Sequence, residues 1–140
     1  MNVAIIYWTG TGNTLAMAEA IKEGAENNGA TVKLIEVDSA SMDDVTGADR
    51  VAFGCPAMGD EVLEEMSFRP FMDEANKVIS GKDVAIFGSY EWNDGQWILD
   101  WEEEIKATGA NLIAPGLKAY DNPDADAIEA CKELGAKLAK

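Results

Sequence analysis

The chain has 140 residues, 47% of them apolar, which predicts one globular domain over residues 1–140 with a single core. Eleven basic against 26 acidic residues leave a formal charge of −15, which argues against nucleic-acid binding and favours steering toward basic partners. There is no His, Cys55 and Cys131 lack a C-x-x-C spacing, no apolar run nears membrane-spanning length, and no charged-then-apolar leader precedes the first apolar run; the expectation is a reduced, cytoplasmic protein with no zinc and no membrane partner.

The first apolar run, Val3–Trp8, reads as a buried strand. Thr9-Gly10-Thr11-Gly12-Asn13-Thr14 follows at once, and a helical period runs over Asn13–Asn28. A strand, a tight loop of Gly and hydroxyl residues and a helix start make a phosphate cradle, because the helix start offers unpaired N–H groups and the positive end of its dipole. Gly10 and Gly12 let the backbone approach a ligand, while Thr9, Thr11, Asn13 and Thr14 add side-chain donors. The Walker pattern fails because no Lys or Arg precedes Lys22, and the G-x-G-x-x-G pattern fails because Leu15 stands at the third Gly. A cradle of neutral donors without a cation suits one terminal monophosphate. The plain alternative is an ordinary strand-to-helix turn rich in turn formers.

Four more apolar runs follow, Thr31–Val37, Arg50–Cys55, Asp83–Gly88 and Asn111–Leu117. They alternate with helical patterns at Phe68–Ile79, Gly95–Thr108 and Asp124–Ala139, while Ser39–Gly47 is short and weakly periodic. Gly29 and Gly109 stand where a helix C-terminus takes a left-handed residue, and Pro70 fits a first helical turn. Ile128, Cys131, Leu134 and Leu138 mark the core face of the last helix, where Cys131 reads as a small buried residue. Continuous apolar strands alternating with helices predict an α/β fold, a three-layer doubly wound five-stranded parallel sheet with right-handed crossovers.

In such a sheet, ligands sit beyond the carboxyl ends of the strands at the switch point. Three stretches should meet there: the cradle, Pro56-Ala57-Met58-Gly59-Asp60-Glu61, and Ser89-Tyr90-Glu91-Trp92-Asn93-Asp94-Gly95. Met58 in one loop, and Tyr90 with Trp92 in the other, would flank a slot suited to a planar aromatic ligand, and Glu61 could accept a hydrogen bond from a ring N–H. Folded onto the core instead, Met58 and Trp92 would be structural.

These stretches resemble flavodoxins, of the short-chain kind found in anaerobic bacteria, and the resemblance covers the whole chain. It is carried by Tyr7-Trp8-Thr9-Gly10-Thr11-Gly12-Asn13-Thr14, by Gly54-Cys55-Pro56-Ala57-Met58-Gly59-Asp60-Glu61 and by Phe87-Gly88-Ser89-Tyr90. The resemblance implies the flavodoxin-like strand order 2-1-3-4-5, an order known for this family rather than read from these residues. It also implies a fifth strand, Asn111–Leu117, that runs toward the last helix without the long insertion of long-chain relatives.

The resemblance further implies non-covalently bound FMN. The phosphate would sit in Thr9, Gly10, Thr11, Gly12, Asn13 and Thr14, with Met58 on the inner face of the ring and Trp92 on the outer. Glu61 would meet the pyrimidine N3–H, and the Gly59 carbonyl would meet N5–H once the flavin takes one electron. Pro56, Ala57, Asp60, Ser89, Tyr90 and Glu91 complete the expected cofactor-binding set, with no metal and no catalytic residue. The family places Gly on both sides of the tryptophan; here Glu91 and Asn93 stand there, and a positive φ would strain Glu91.

The function implied is a low-potential one-electron carrier, monomeric, that shuttles electrons between redox proteins through transient, electrostatic encounters with basic partners. One alternative is a small FMN-dependent quinone or NAD(P)H reductase; Trp92 as a lid, the lack of His and the lack of a basic site for a nicotinamide phosphate argue against it. A phosphoacceptor signalling domain needs clustered aspartates after the first strand, yet the first acidic residue is Glu19.

Overall fold

The computed structural model describes residues 1–140. β1 (Asn2–Tyr7) leads into α1 (Asn13–Asn27), and β2 (Thr31–Glu36) into a 3₁₀ turn (Val37–Ser39) and α2 (Met42–Thr46). β3 (Arg50–Gly54) precedes α3 (Phe68–Ala75), and β4 (Asp83–Tyr90) precedes α4 (Gln96–Ala107). β5 (Asn111–Leu112) and β6 (Leu117–Tyr120) precede α5 (Ala125–Leu138). Every pairing is parallel and the order is β2-β1-β3-β4-β5, with β6 also on β4, so the expected topology is found.

The sheet is buried on both faces because its central strands are apolar through their middles, at Val3–Ile6, Val51–Phe53 and Val84–Phe87. Side chains of a strand alternate between faces. Val3 and Ile5 accordingly join the cluster that contains Met17 and Ile21 of α1 and Cys131 and Leu134 of α5. Ala4 and Ile6 join the opposite cluster with Phe68 and Met72 of α3 and Trp97 and Trp101 of α4. Each large apolar side chain taken out of water in this way contributes roughly 1.5–3 kcal/mol. β2 lies at the edge and stays partly exposed.

Three segments differ from the sequence reading. The fifth strand is not continuous from Asn111 to Leu117: it breaks between β5 and β6. Asp83 faces Asn111 while Phe87 faces Leu117, so four steps along β4 are matched by six on the edge, a two-residue bulge. Pro115 within that bulge has no N–H for the ladder, and the neighbouring Gly116 N–H turns to the Glu102 carboxylate instead. β4 runs on to Tyr90, because β6 offers it four further partners, so Ser89 and Tyr90 are strand rather than loop residues. α3 stops at Ala75, short of Ile79. Gly29 and Gly109 do take positive φ, 91° and 87°, after α1 and α4.

Candidate functional site

The carboxyl ends of β1, β3 and β4 open into a cavity of about 330 Å³. Its first wall is the loop from β1 to α1. Gly12 caps α1 with φ 95°, a conformation that strains any side chain and lets the loop turn into the helix. Thr9 Oγ1 accepts the Gly12 N–H at 3.1 Å and Thr11 Oγ1 accepts the Asn13 N–H at 3.5 Å. The N–H groups of Gly10, Thr11, Thr14 and Leu15 have no protein acceptor.

Thr14 is buried, with its hydroxyl 3.0 Å from the Ser89 hydroxyl. The Ser89 N–H donates to Thr14 Oγ1 at 3.4 Å. Where the Ser89 hydroxyl is the donor of this pair, the Thr14 O–H can donate into the cavity. No Lys or Arg side chain lines this cavity.

The second wall is a hairpin. The Met58 N–H donates to the Val62 carbonyl at 3.0 Å, and the Glu61 N–H to the Met58 carbonyl at 2.8 Å. Gly59 and Asp60, the central pair, have no positive φ; the positive value, 60°, belongs to Glu61. That excludes the type II and II′ turns that Gly59-Asp60 could have formed, and fits a tight turn followed by a left-handed residue. For a glutamate this conformation costs about 1–2 kcal/mol. Two bonds offset it: the Glu61 carboxylate accepts the Gly95 N–H at 3.1 Å and the Gln96 N–H at 3.0 Å, at the start of α4. Asn93 Nδ2 donates to the Gly59 carbonyl at 3.2 Å.

Behind the hairpin, the Glu64 carboxylate is buried and accepts N–H bonds from Met66, Ser67 and Phe68, each at 2.8 Å. Burial opposes its ionised form, but the donors of Phe68, Ser67 and Met66 together outweigh it and hold its carboxyl below the usual carboxylate range.

The third wall is the end of β4 and the loop to α4. Tyr90 packs its ring against Trp97 at 5.8 Å and Tyr120 at 5.5 Å, so it is a fixed support. Trp92 stands at the mouth, 77% exposed. Glu91 and Asn93 both line the cavity without positive φ, so the feared strain at Glu91 is absent. Gly88 is required beneath the floor: a Cβ there would lie 2.1 Å from the Cys55 carbonyl oxygen. Burial pushes the Cys55 and Cys131 thiols up to about 12, far from reactive thiolates.

The flavodoxin family model matches residues 5–135. The chain belongs to the flavodoxin family. It is 45% identical over 135 residues to a flavodoxin of Clostridium beijerinckii, covering 96% of this chain and 97% of that one. A flavodoxin of Megasphaera elsdenii is 41% identical over 138 residues, covering 99% and 98%. The solution structure of the two-electron reduced Megasphaera elsdenii flavodoxin superposes with a TM-score of 0.88 over 98% of both chains. As a short-chain flavodoxin the protein is an FMN-binding electron carrier rather than an enzyme. No helix is long and apolar enough to cross a membrane.

Of the residues expected at the flavin, Thr9, Gly10, Thr11, Thr14, Pro56, Ala57, Met58, Gly59, Ser89, Tyr90, Glu91 and Trp92 line the one cavity. Gly12, Asn13, Asp60 and Glu61 do not reach its wall; Gly12 shapes the loop and Glu61 is turned toward α4. Trp8 and Asn93 line the cavity beyond expectation. Trp8 ends an apolar run and so reads as core, yet its ring sits against Gly10, where a Cβ would meet it at 3.1 Å. Asn93 reads as a turn former, and nothing in its spacing announces a partner across the loops.

Proposed function

We propose that this cavity holds the FMN, with its phosphate in the Thr9–Thr14 loop and its ring between Met58 and Trp92. The observation that carries the reading is the loop's set of N–H groups without protein acceptors, at Gly10, Thr11, Thr14 and Leu15, at one end of a cavity whose other end is Met58, Trp92 and Glu91. An oriented array of neutral donors at a helix start fits a phosphate dianion without a cation. Bound FMN supplies the one-electron chemistry; the chain orients it, shields it and sets its charge environment. Each Glu61 oxygen keeps a second lone pair, so accepting the pyrimidine N3–H is compatible with its hold on α4. The Glu91 N–H would be a donor for the pyrimidine, Asp60 shapes the turn, and Pro56, Ala57, Ser89 and Tyr90 form the walls.

Asp60, Glu61, Glu91 and Asp94 belong to the two loops at this end, and their carboxylates disfavour a growing negative charge, which supports a low-potential carrier. The charge of −15 supports transient encounters with basic redox proteins; we read residues 1–140 as one FMN-binding domain, monomeric and cytoplasmic, with both cysteines free and buried. Titration of the FMN-free protein with FMN, read by quenching of flavin fluorescence, tests the ring site. Trp92→Ala should weaken FMN by about tenfold, the loss of one aromatic face contact of ~1.5 kcal/mol. Unchanged affinity would move the ring elsewhere.

A further inference from the structure

We propose that Asn93 is a positioning residue that holds the Gly59 carbonyl in the orientation seen here and so lowers the first one-electron reduction potential. The proposal rests on the cofactor site proposed above. Asn93 Nδ2 donates to the Gly59 carbonyl at 3.2 Å across the two loops, and this carbonyl has no other donor in the protein. The bonds that close the hairpin end on the Met58 and Val62 carbonyls, not on that of Gly59. The Gly59 peptide can therefore rotate while the hairpin stays closed. Nothing lies within 4 Å of the position a Gly59 Cβ would take, so the hairpin tip is open on that side. The Asn93 bond opposes the rotation, together with the positive φ that the rotation would impose on Asp60.

The consequence follows from which redox state needs the rotation. In the site proposed above, one electron from a redox partner and one proton from solvent would give flavin N5 a hydrogen, and a Gly59 carbonyl turned toward it would give up the Asn93 bond. The second electron leaves that hydrogen in place, so the forfeited bond weighs on the first step and not on the second. One ordinary net hydrogen bond corresponds to about a fivefold change in equilibrium. Asn93 therefore narrows the separation between the two potentials by that factor.

Asn93→Leu keeps the shape and removes the donor, at a partly exposed loop position that the core does not need. Two measurements test it. Hydrogen exchange of the Glu61 and Val62 amides, in the FMN-free protein, should quicken in the variant, because the hairpin loses its tie to the α4 loop. Spectroelectrochemical titration of the FMN-loaded protein should show the first potential raised, by about fivefold in its equilibrium constant, with the second unmoved. Unchanged exchange overturns the tie, and an equal shift in both potentials overturns the orientation effect. Gly59→Thr is the control. If it lowers the first potential while Asn93→Leu does nothing, the role of Asn93 falls and the cofactor site stands. If neither variant moves a potential, the placing of the flavin at Gly59 falls and the proposal with it.

Discussion

Replacing Glu64 by Gln tests how the cofactor hairpin is anchored. Glu64 Oε1 accepts the Ser67 and Phe68 N–H groups and Oε2 accepts that of Met66. A glutamine can serve only one of these sets with its single oxygen, and its NH₂ group then faces an N–H. One charge-assisted bond of about 1.5–3 kcal/mol is lost, and the others fall to about 1 kcal/mol each as neutral bonds. Relief from burying a charge offsets part of this, leaving a net loss of about 2–3 kcal/mol. Urea unfolding of the FMN-free protein at pH 7 measures it without ligand stabilisation.

The pH dependence has a definite sign. The folded-state value of Glu64 is depressed, so its contribution is complete above the unfolded value of about 4.3 and is lost as pH falls through the folded value. The curves of the native protein and the variant should converge in acid. Equal midpoints at pH 7, or a gap that persists undiminished in acid, would refute the ionised anchor.

Three further outcomes are expected. Glu61→Gly relieves about 1 kcal/mol of left-handed strain but removes two N–H acceptors at the start of α4, so thermal unfolding should show a net loss of roughly 1–2 kcal/mol; a more stable variant would show those N–H groups to be capped otherwise. Glu91→Gln should raise the second reduction potential by tens of millivolts at most, more at low salt than at high, since the side chain is partly exposed; a shift in the opposite direction would place its charge away from the ring. Electron transfer to a basic redox protein should slow as salt rises from ~10 mM, where the Debye length is roughly 30 Å, to ~0.1 M, where it is about 10 Å; a rate indifferent to salt would reduce the acidity to solubility.

The fold was legible because its signal is redundant. Val3–Ile6 and Val84–Phe87 are apolar at every position, which only a doubly covered sheet explains. The break in the fifth strand was signalled by Pro115 but masked by the apolar residues on either side. The cradle was legible from Thr9 to Thr14, since its donors are backbone groups that small residues leave accessible. Glu61 was not. Its type suits a ring N–H, and only the folded chain reveals that its left-handed backbone turns the carboxylate to Gly95 and Gln96. Asn93 was hidden for the same reason: its partner lies 34 residues away.

The central claim is that neutral donors of the β1–α1 loop hold the phosphate of FMN. The direct measurement compares FMN with riboflavin, which lacks that phosphate, in binding titrations of the native protein and of Thr9→Ala and Thr14→Ala. FMN should bind the native protein far more tightly than riboflavin does. Each substitution should weaken FMN by about 1–3 kcal/mol, one charge-assisted donor, and leave riboflavin nearly unchanged. Equal losses for both ligands, or equal affinities in the native protein, would contradict the claim.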